Sequence, residues 1–420
     1  MNEHVQAETV QAETVQAKPA APLFNPLSPQ FICDPYPFYQ QLRETDPMHV
    51  TPFGAFLASR HAESSLVLRD KRFGKDFVPR SIRRYGPKIM DEPIFRSMSL
   101  WMLQQDPPDH TRLRNLVVKA FTARRVEDMR PRIQQIVDQT LDEVIPRGNM
   151  DLIEDFAFRL PVTVICEMLG IPEEHREAFY KSSREGGRLL DPVPLSPAEI
   201  AEGNAGNAVS KAYFQQLFEL RRRQPGDDLT TQLLQAEEDG AKLSHEELTA
   251  NIILLFGAGH ETTVNLIGNG LLALYRNPDQ LALLKARPEL ITNAIEEFLR
   301  YDSSVQLTGR VALEDIEDLG GKRIPKGETV LCLLGSANRD PAVYPDRPEQ
   351  LDIARPNVKP LSFGGGIHHC LGAQLARIEA EVAIGTLLRR LPELKLDDPD
   401  NPDWRPTFVL RGLKRLPAHW

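Results

Sequence analysis

Cys370 stands within the run Phe363-Gly364-Gly365-Gly366-Ile367-His368-His369-Cys370-Leu371-Gly372, which leads into a stretch where Leu371, Leu375, Ile378 and Val382 fall on one helical face. A thiol just ahead of a helix N-terminus meets unpaired N–H groups and the helix dipole, which favour an anion and lower the thiol pKa. Glycines let backbone amides approach the sulfur with no Cβ between. A thiolate held in this way suits a large planar metal cofactor. Two other readings stand beside it. A lone cysteine in a glycine loop is commonly an inert buried thiol. Alternatively, Cys370 pairs with His368 or His369 as nucleophile and base, although residues so close in sequence rarely face each other as such a dyad needs.

A second group is Ala258-Gly259-His260-Glu261-Thr262-Thr263, which follows the wholly apolar residues 252–256. An acid and two hydroxyls inside a buried helix are costly unless they are used. The competing reading points Glu261 into a surface groove and has Thr262 bond back to a carbonyl. Glu297 and Arg300 are spaced i, i+3, so they share a helical face. Most such pairs are surface ion pairs that contribute little. His110 and Arg114, after Asp106-Pro107-Pro108, are spaced i, i+4 and can aim at one anion, or else form a solvated basic turn.

These groups need rigid elements to hold them. Ser244-His245-Glu246-Glu247 has capping-box form and opens a pattern that runs to Asn277-Pro278. At ~1.5 Å per residue, that helix crosses most of a domain. Residues 106–240 read as mostly helical, cut by Pro107, Pro108, Pro146, Pro161, Pro172 and Pro192. A strand pair is expected in 48–60. A second small β region is expected at 311–334, with 311–318 and 328–334 flanking Gly320-Gly321. The expectation is a single, mainly α domain with a small β portion over residues 26–420. Residues 1–25, with their VQAET repeat and following prolines, read as a disordered leader.

The bulk properties narrow the function. A net charge of −9 in 420 residues argues against a nucleic-acid partner. Four cysteines without a CxxC pair are too few for a disulfide scaffold and lack zinc spacing, so a cytoplasmic location is the default. The N-terminus has no apolar segment that would serve as a signal or membrane anchor.

Residues 363–372 match F-x-x-G-x-[HR]-x-C-x-G, and with them the sequence resembles the cytochrome P450 family over nearly all of the chain from about residue 29. The resemblance implies that family's fold, with a long central helix over haem b (iron protoporphyrin IX). It makes Cys370 the iron ligand, in a loop completed by Phe363 and Gly372; thiolate ligation favours O–O cleavage. Residues 258–263 match [AG]-G-x-[DE]-T-[TS]. By resemblance Thr262 holds the distal hydrogen bond, Glu261 feeds protons to O₂, and Ala258 with Gly259 leaves room above the iron. His260 has no fixed role there and is given a solvent or packing one. The D-P-P-x-H-x-x-x-R match makes His110 and Arg114 a clamp for the haem propionates, joined by Arg310 and His368.

Glu297 and Arg300 match E-x-x-R, a buried structural network in the family. Arg355 is the implied third member, and Gln350 stands where many members carry arginine. The implied substrate pocket takes in 77–105, 170–205, Leu255, Ala258, 304–308 and the turn at Phe408-Val409. Apolar Val305, Leu307 and Phe408 suit a lipophilic substrate. The activity so implied is a soluble bacterial-type monooxygenase, hydroxylating or epoxidising a lipophilic small molecule of secondary metabolism or a lipid or terpenoid. Electrons would come from a ferredoxin or flavodoxin with its NAD(P)H reductase. The rival readings are a non-catalytic haem-thiolate sensor or carrier, which needs no proton relay, and a cysteine–histidine hydrolase, which needs no haem.

Overall fold

The computed structural model describes residues 24–176, 188–238 and 243–420. All of the expected leader except Phe24 and Asn25 lies outside the described residues. Phe24 is buried, edge-on to Phe31 at 5.5 Å and to Phe408 at 5.4 Å between ring centroids. The folded body therefore includes Phe24, two residues ahead of the expected start at Pro26.

The centre of the fold is the helix His245–Arg276, with the bounds the sequence predicts. Ser244 caps it as expected: its hydroxyl accepts from Glu247 N at 3.2 Å, and the Glu247 carboxylate accepts from Ser244 N at 2.8 Å. Arg276 lies in the last turn, where a cation meets the negative end of the dipole, and Pro278 cannot continue the same helix. With 32 residues it is roughly 48 Å long. Leu248, Ile252, Leu255, Phe256, Val264, Ile267 and Leu271 are buried in the main core. Helices Arg159–Met168, Pro197–Arg223, Ile291–Tyr301 and Ala373–Arg390 pack against it.

The helical reading of 106–240 holds for Asp109–Val117, Arg130–Val144, Arg159–Met168, Pro197–Arg223 and Leu229–Glu238. Arg112 ties the first of these to the start of the central helix, donating to Glu247 Oε1 at 2.5 Å and to Asp109 at 2.9 Å.

The largest sheet of the β portion has five strands in the order Met48–Val50, Phe56–Ala58, Thr329–Leu333, Leu307–Ala312, Phe73–Gly74. The expected pair within 48–60 is antiparallel, Met48 opposite Ala58. The stretch expected as one strand over 311–318 is instead two. Leu307–Ala312 joins the large sheet, and Ile316–Leu319 turns back onto Lys322–Ile324. Gly320 and Gly321 make that turn with φ of +59° and +84°, a region costly for residues with a Cβ. Among the described residues no helix is long and apolar enough to cross a membrane.

Candidate active site

The cysteine loop is two short 3₁₀ turns, Leu361–Phe363 and Gly366–His368, ahead of the helix Ala373–Arg390. Cys370 N donates to Phe363 O at 2.9 Å and His369 N to Gly366 O at 3.1 Å, which closes the loop on itself. Gly364 and Gly366 have φ of +70° and +66°, and a Cβ on Gly366 would collide with Leu68 O. The glycines are thus required by the turn and by close approach to the helix His61–Arg69, not by amides crowding the sulfur. Among the described residues the Gly372 N–H is the backbone donor directed at it.

Cys370 is accessible although protein atoms surround it closely, as befits a residue lining an interior cleft. Burial raises its thiol above the ordinary value, outweighing the Gly372 N–H and the charges of Arg114 and Arg377. This reverses the lowered thiol pKa expected from helix position alone. A metal ion would supply the missing positive charge. Phe363 packs under the Arg377 guanidinium, 4.6 Å from its ring centre. Cys166 and Cys332 are buried thiols pushed up to about 12, and Cys33 is exposed.

Three separate segments bring the expected cationic groups together. The rings of His110 and His368 lie 4.2 Å apart, and His110 Nδ1 and His368 Nε2 are buried without a hydrogen-bond partner. Burial first, then nearby cations, lowers both imidazoles, His110 to about 4. Arg310 is 3% exposed and donates to Gly309 O at 3.0 Å; among the described residues no carboxylate pairs with it. Arg114 reaches the cysteine loop, donating to His369 O at 2.7 Å. Two carboxylates fit this set, because they would satisfy the orphaned ring nitrogens and offset the buried charge. Lys75, which no sequence pattern singled out, is buried in the same cluster.

On the central helix, Gly257 and Ala258 are exposed in the middle of an otherwise buried element, so that face looks onto open space. Gly259 does something different from making room: it faces Ile165, where a Cβ would sit 3.0 Å from Cδ1. Thr262 donates to Ala258 O at 3.2 Å and is half-buried, which leaves its oxygen free to accept from the open side. The back-bond weighed from sequence is therefore present, together with the accessibility that a relay needs. Glu261 turns away from groove and solvent. Its carboxylate is nearly buried, 3.6 Å from Arg405 Nη1. Burial raises its pKa, Arg405 lowers it and Asp191 raises it again. His260 takes the packing role, buried between Phe158 and Phe256 with Nδ1 2.8 Å from Phe256 O.

The pocket expectations divide. Leu307 and Phe408 are in a core cluster with Phe24, Phe31 and Tyr39. Leu255 is likewise core. Val305 and Thr308 stay half-exposed, and part of 170–205 lies outside the described residues. The Glu297 network is complete. Arg300 donates to both carboxylate oxygens at 2.7 Å, and Arg355 Nε lies 3.3 Å from Oε1. Gln350 takes part through its main-chain oxygen, which accepts from Arg300 and Arg355, so its side-chain type is immaterial there.

Comparison with known proteins agrees with this geometry. The cytochrome P450 family profile matches residues 83–415. The chain is 45% identical to cytochrome P450 107B1 of Saccharopolyspora erythraea, an alignment covering 92% of this chain and 95% of that one. It is 43% identical to the vitamin D(3) 25-hydroxylase of Pseudonocardia autotrophica, covering 92% and 93%. Among solved structures, myxobacterial cytochrome P450 CYP267B1 in complex with myristic acid superposes with a TM-score of 0.86 at 42% identity, covering 94% of this chain and 98% of that one.

Proposed function

The chain belongs to the cytochrome P450 family, and from that premise we propose that Cys370 ligates the iron of haem b in an enzyme that oxygenates a lipophilic small molecule. The family makes it a haem-thiolate monooxygenase. The reading for this chain rests on one observation above others: an accessible thiol in a closed loop beside buried basic groups, among which Arg310 has no carboxylate within ion-pair distance among the described residues and two imidazole nitrogens have no hydrogen-bond partner.

When bound, the haem supplies the oxygen-activating chemistry. His110, Arg114, Arg310 and His368 would hold its two carboxylates and so orient it. Gly257 and Ala258 leave that face of the central helix open. Thr262 offers an oxygen there as hydrogen-bond acceptor, and Glu261 is the acid next to it in the chain, its hold on a proton strengthened by burial and weakened by Arg405. The substrate is a lipid, terpenoid or other lipophilic compound of secondary metabolism, hydroxylated or epoxidised. Support comes from relatives named for vitamin D(3) 25-hydroxylation and bound to myristic acid.

Electrons arrive from a ferredoxin or flavodoxin with its NAD(P)H reductase, in the cytoplasm. Lys119, Arg124 and Arg125 are exposed on a segment packed against the helix Ala373–Arg390, which starts behind Cys370, and this supports docking of an acidic partner there. Arg130 contributes less, since it is paired with Glu127 at 2.6 Å and Glu381 at 3.2 Å.

The test is the absorption spectrum of the reduced protein under carbon monoxide. The wild type should show the long-wavelength thiolate band. Cys370→Ser should abolish it, and Ser at Cys33, Cys166 or Cys332 should leave it in place. Retention of the band in Cys370→Ser would refute the assignment.

A further inference from the structure

Lys75 is a buried lysine whose ammonium has no carboxylate within ion-pair distance among the described residues. It follows the strand Phe73–Gly74 and is 4% exposed. The nearest candidate counter-ion, Asp106, is engaged elsewhere: its carboxylate accepts from Lys75 N at 2.9 Å and from Asp76 N at 3.0 Å, main-chain donors both. The Lys75 ammonium instead donates to Gly309 O at 3.2 Å. That same carbonyl accepts from Arg310 Nη1 at 3.0 Å. Two cationic heads on one oxygen stand at most about 6 Å apart. Among the described residues no carboxylate lies within ion-pair distance of either.

The site around them is predominantly basic, with Asp106 as the one carboxylate that acts on both Lys75 and Arg310 among the described residues. Arg80 and Arg310 both act on Lys75, and Lys75 in turn is the strongest charged influence on His368, two residues from Cys370. Burial and these neighbours together drive the ammonium well below its ordinary pKa. Isolated burial of a cation is so unfavourable that a fold keeps one only where an opposite charge meets it.

We propose that Lys75 is a further anchor for a haem carboxylate, sharing with Arg310 the task of neutralising it. The inference rests on the reading that haem binds at Cys370. The lysine's charge is unwelcome until the carboxylate arrives, so its effect on stability must change sign between the two states. Without haem, Lys75→Met should raise the unfolding temperature of the protein. With haem, the same change should release the group faster to an excess of an acceptor apoprotein, by roughly 10-fold or more for loss of one charge-assisted bond. Lys75→Arg, which keeps the charge, should stay near the wild-type rate.

Haem dimethyl ester, which has no carboxylates, isolates the contact. Wild type and Lys75→Met reconstituted with the ester should release it at equal rates. If Lys75 merely braces Gly309 O, the variant is destabilised with and without haem, and its excess release persists with the ester; either result overturns the proposal. Unchanged haem release with weakened binding of a fatty acid, read by the spin-state shift, would make Lys75 a substrate residue and overturn it equally. None of these outcomes touches the Cys370 assignment, which fails only if the carbonyl band survives in Cys370→Ser.

Discussion

The carboxylate of Glu261 faces the guanidinium of Arg405 across 3.6 Å, joining the middle of the central helix to the strand pair Asp403–Trp404 and Leu413–Arg415. At that separation the ion pair is loose, and burial outweighs it, so the acid is held above its ordinary pKa. An acid so placed exchanges protons more readily near neutrality than one on the surface. Removing the cation should push Glu261 further up. The alkaline limb of the turnover–pH profile, where this acid loses its proton, should therefore move to higher pH in Arg405→Gln. Glu261→Gln should lose that limb and slow turnover by roughly 10²-fold, the lower end for a positioned proton donor. A limb that stays in place in both variants would assign the pH dependence to another group.

Glu379 offers a test of stability instead of turnover. It is 1% exposed on the helix Ala373–Arg390, its Oε2 has no partner, and the Thr263 hydroxyl alone favours its charged form. Burial holds its pKa well above the ordinary 4.5. The folded protein thus keeps a proton that the unfolded chain releases above 4.5. This group's contribution to stability is full below that pH and is lost as pH rises toward the raised value, by about 1.4 kcal/mol per pH unit. Glu379→Gln is neutral throughout and should remove the loss. Urea unfolding should find the variant close to wild type at pH 5 and clearly more stable at pH 8. An equal difference at both pH values would mean that Glu379 does not titrate in this way.

The Glu297–Arg300–Arg355 network is buried, with Glu297 and Arg300 fully excluded from solvent. Arg300 also donates to Asn338 O, Pro348 O and Gln350 O, so it ties the helix Ile291–Tyr301 to two loops. Truncating Glu297 to Ala would leave two buried cations without their acid and should cost about 3–5 kcal/mol. Arg355→Met should cost less, because Glu297 keeps both of its bonds to Arg300. Denaturant midpoints measured with and without haem will rank the two. An Arg355→Met loss as large as that of Glu297→Ala would contradict the order argued from the bonding.

What could be read from sequence was whatever is local. The cysteine loop, the capped central helix and the Glu297–Arg300 spacing each depend on residues a few positions apart, and period and turn chemistry record them. Arg405, Glu379 and Lys75 escaped because their partners, Glu261, Thr263 and Gly309, are far along the chain and meet only through tertiary packing. The strand Leu307–Ala312 begins ahead of the expected β region because its boundary is set by pairing with Thr329–Leu333. Leu307 and Phe408 look like pocket residues in sequence, since an apolar side chain carries no mark of which cavity it fills. Gly259 shows the same limit: the spacing is right, but its reason is Ile165.

Thr262 carries the sharpest test of mechanism. Its hydroxyl donates to Ala258 O, so on the open side it is left to accept from a proton-bearing group, and any proton it passes on must first be replaced. Thr262→Ala removes the acceptor and opens the space to water, while the helix keeps its main-chain bonds. Stability should change by no more than about 0.5 kcal/mol, as for a solvent-facing helix substitution, and substrate binding and haem content should be retained. Coupling should not: reducing equivalents should leave largely as hydrogen peroxide. Thr262→Ser, which keeps an oxygen at the same place, should recover most of it. The measurement is product formed per NAD(P)H consumed, with peroxide counted, at saturating substrate in a reconstituted system. Damage to packing alone would lower haem content and substrate affinity together, and Thr262→Ser would not rescue coupling. Full coupling in Thr262→Ala would leave the residue with its back-bond to Ala258 as its whole role.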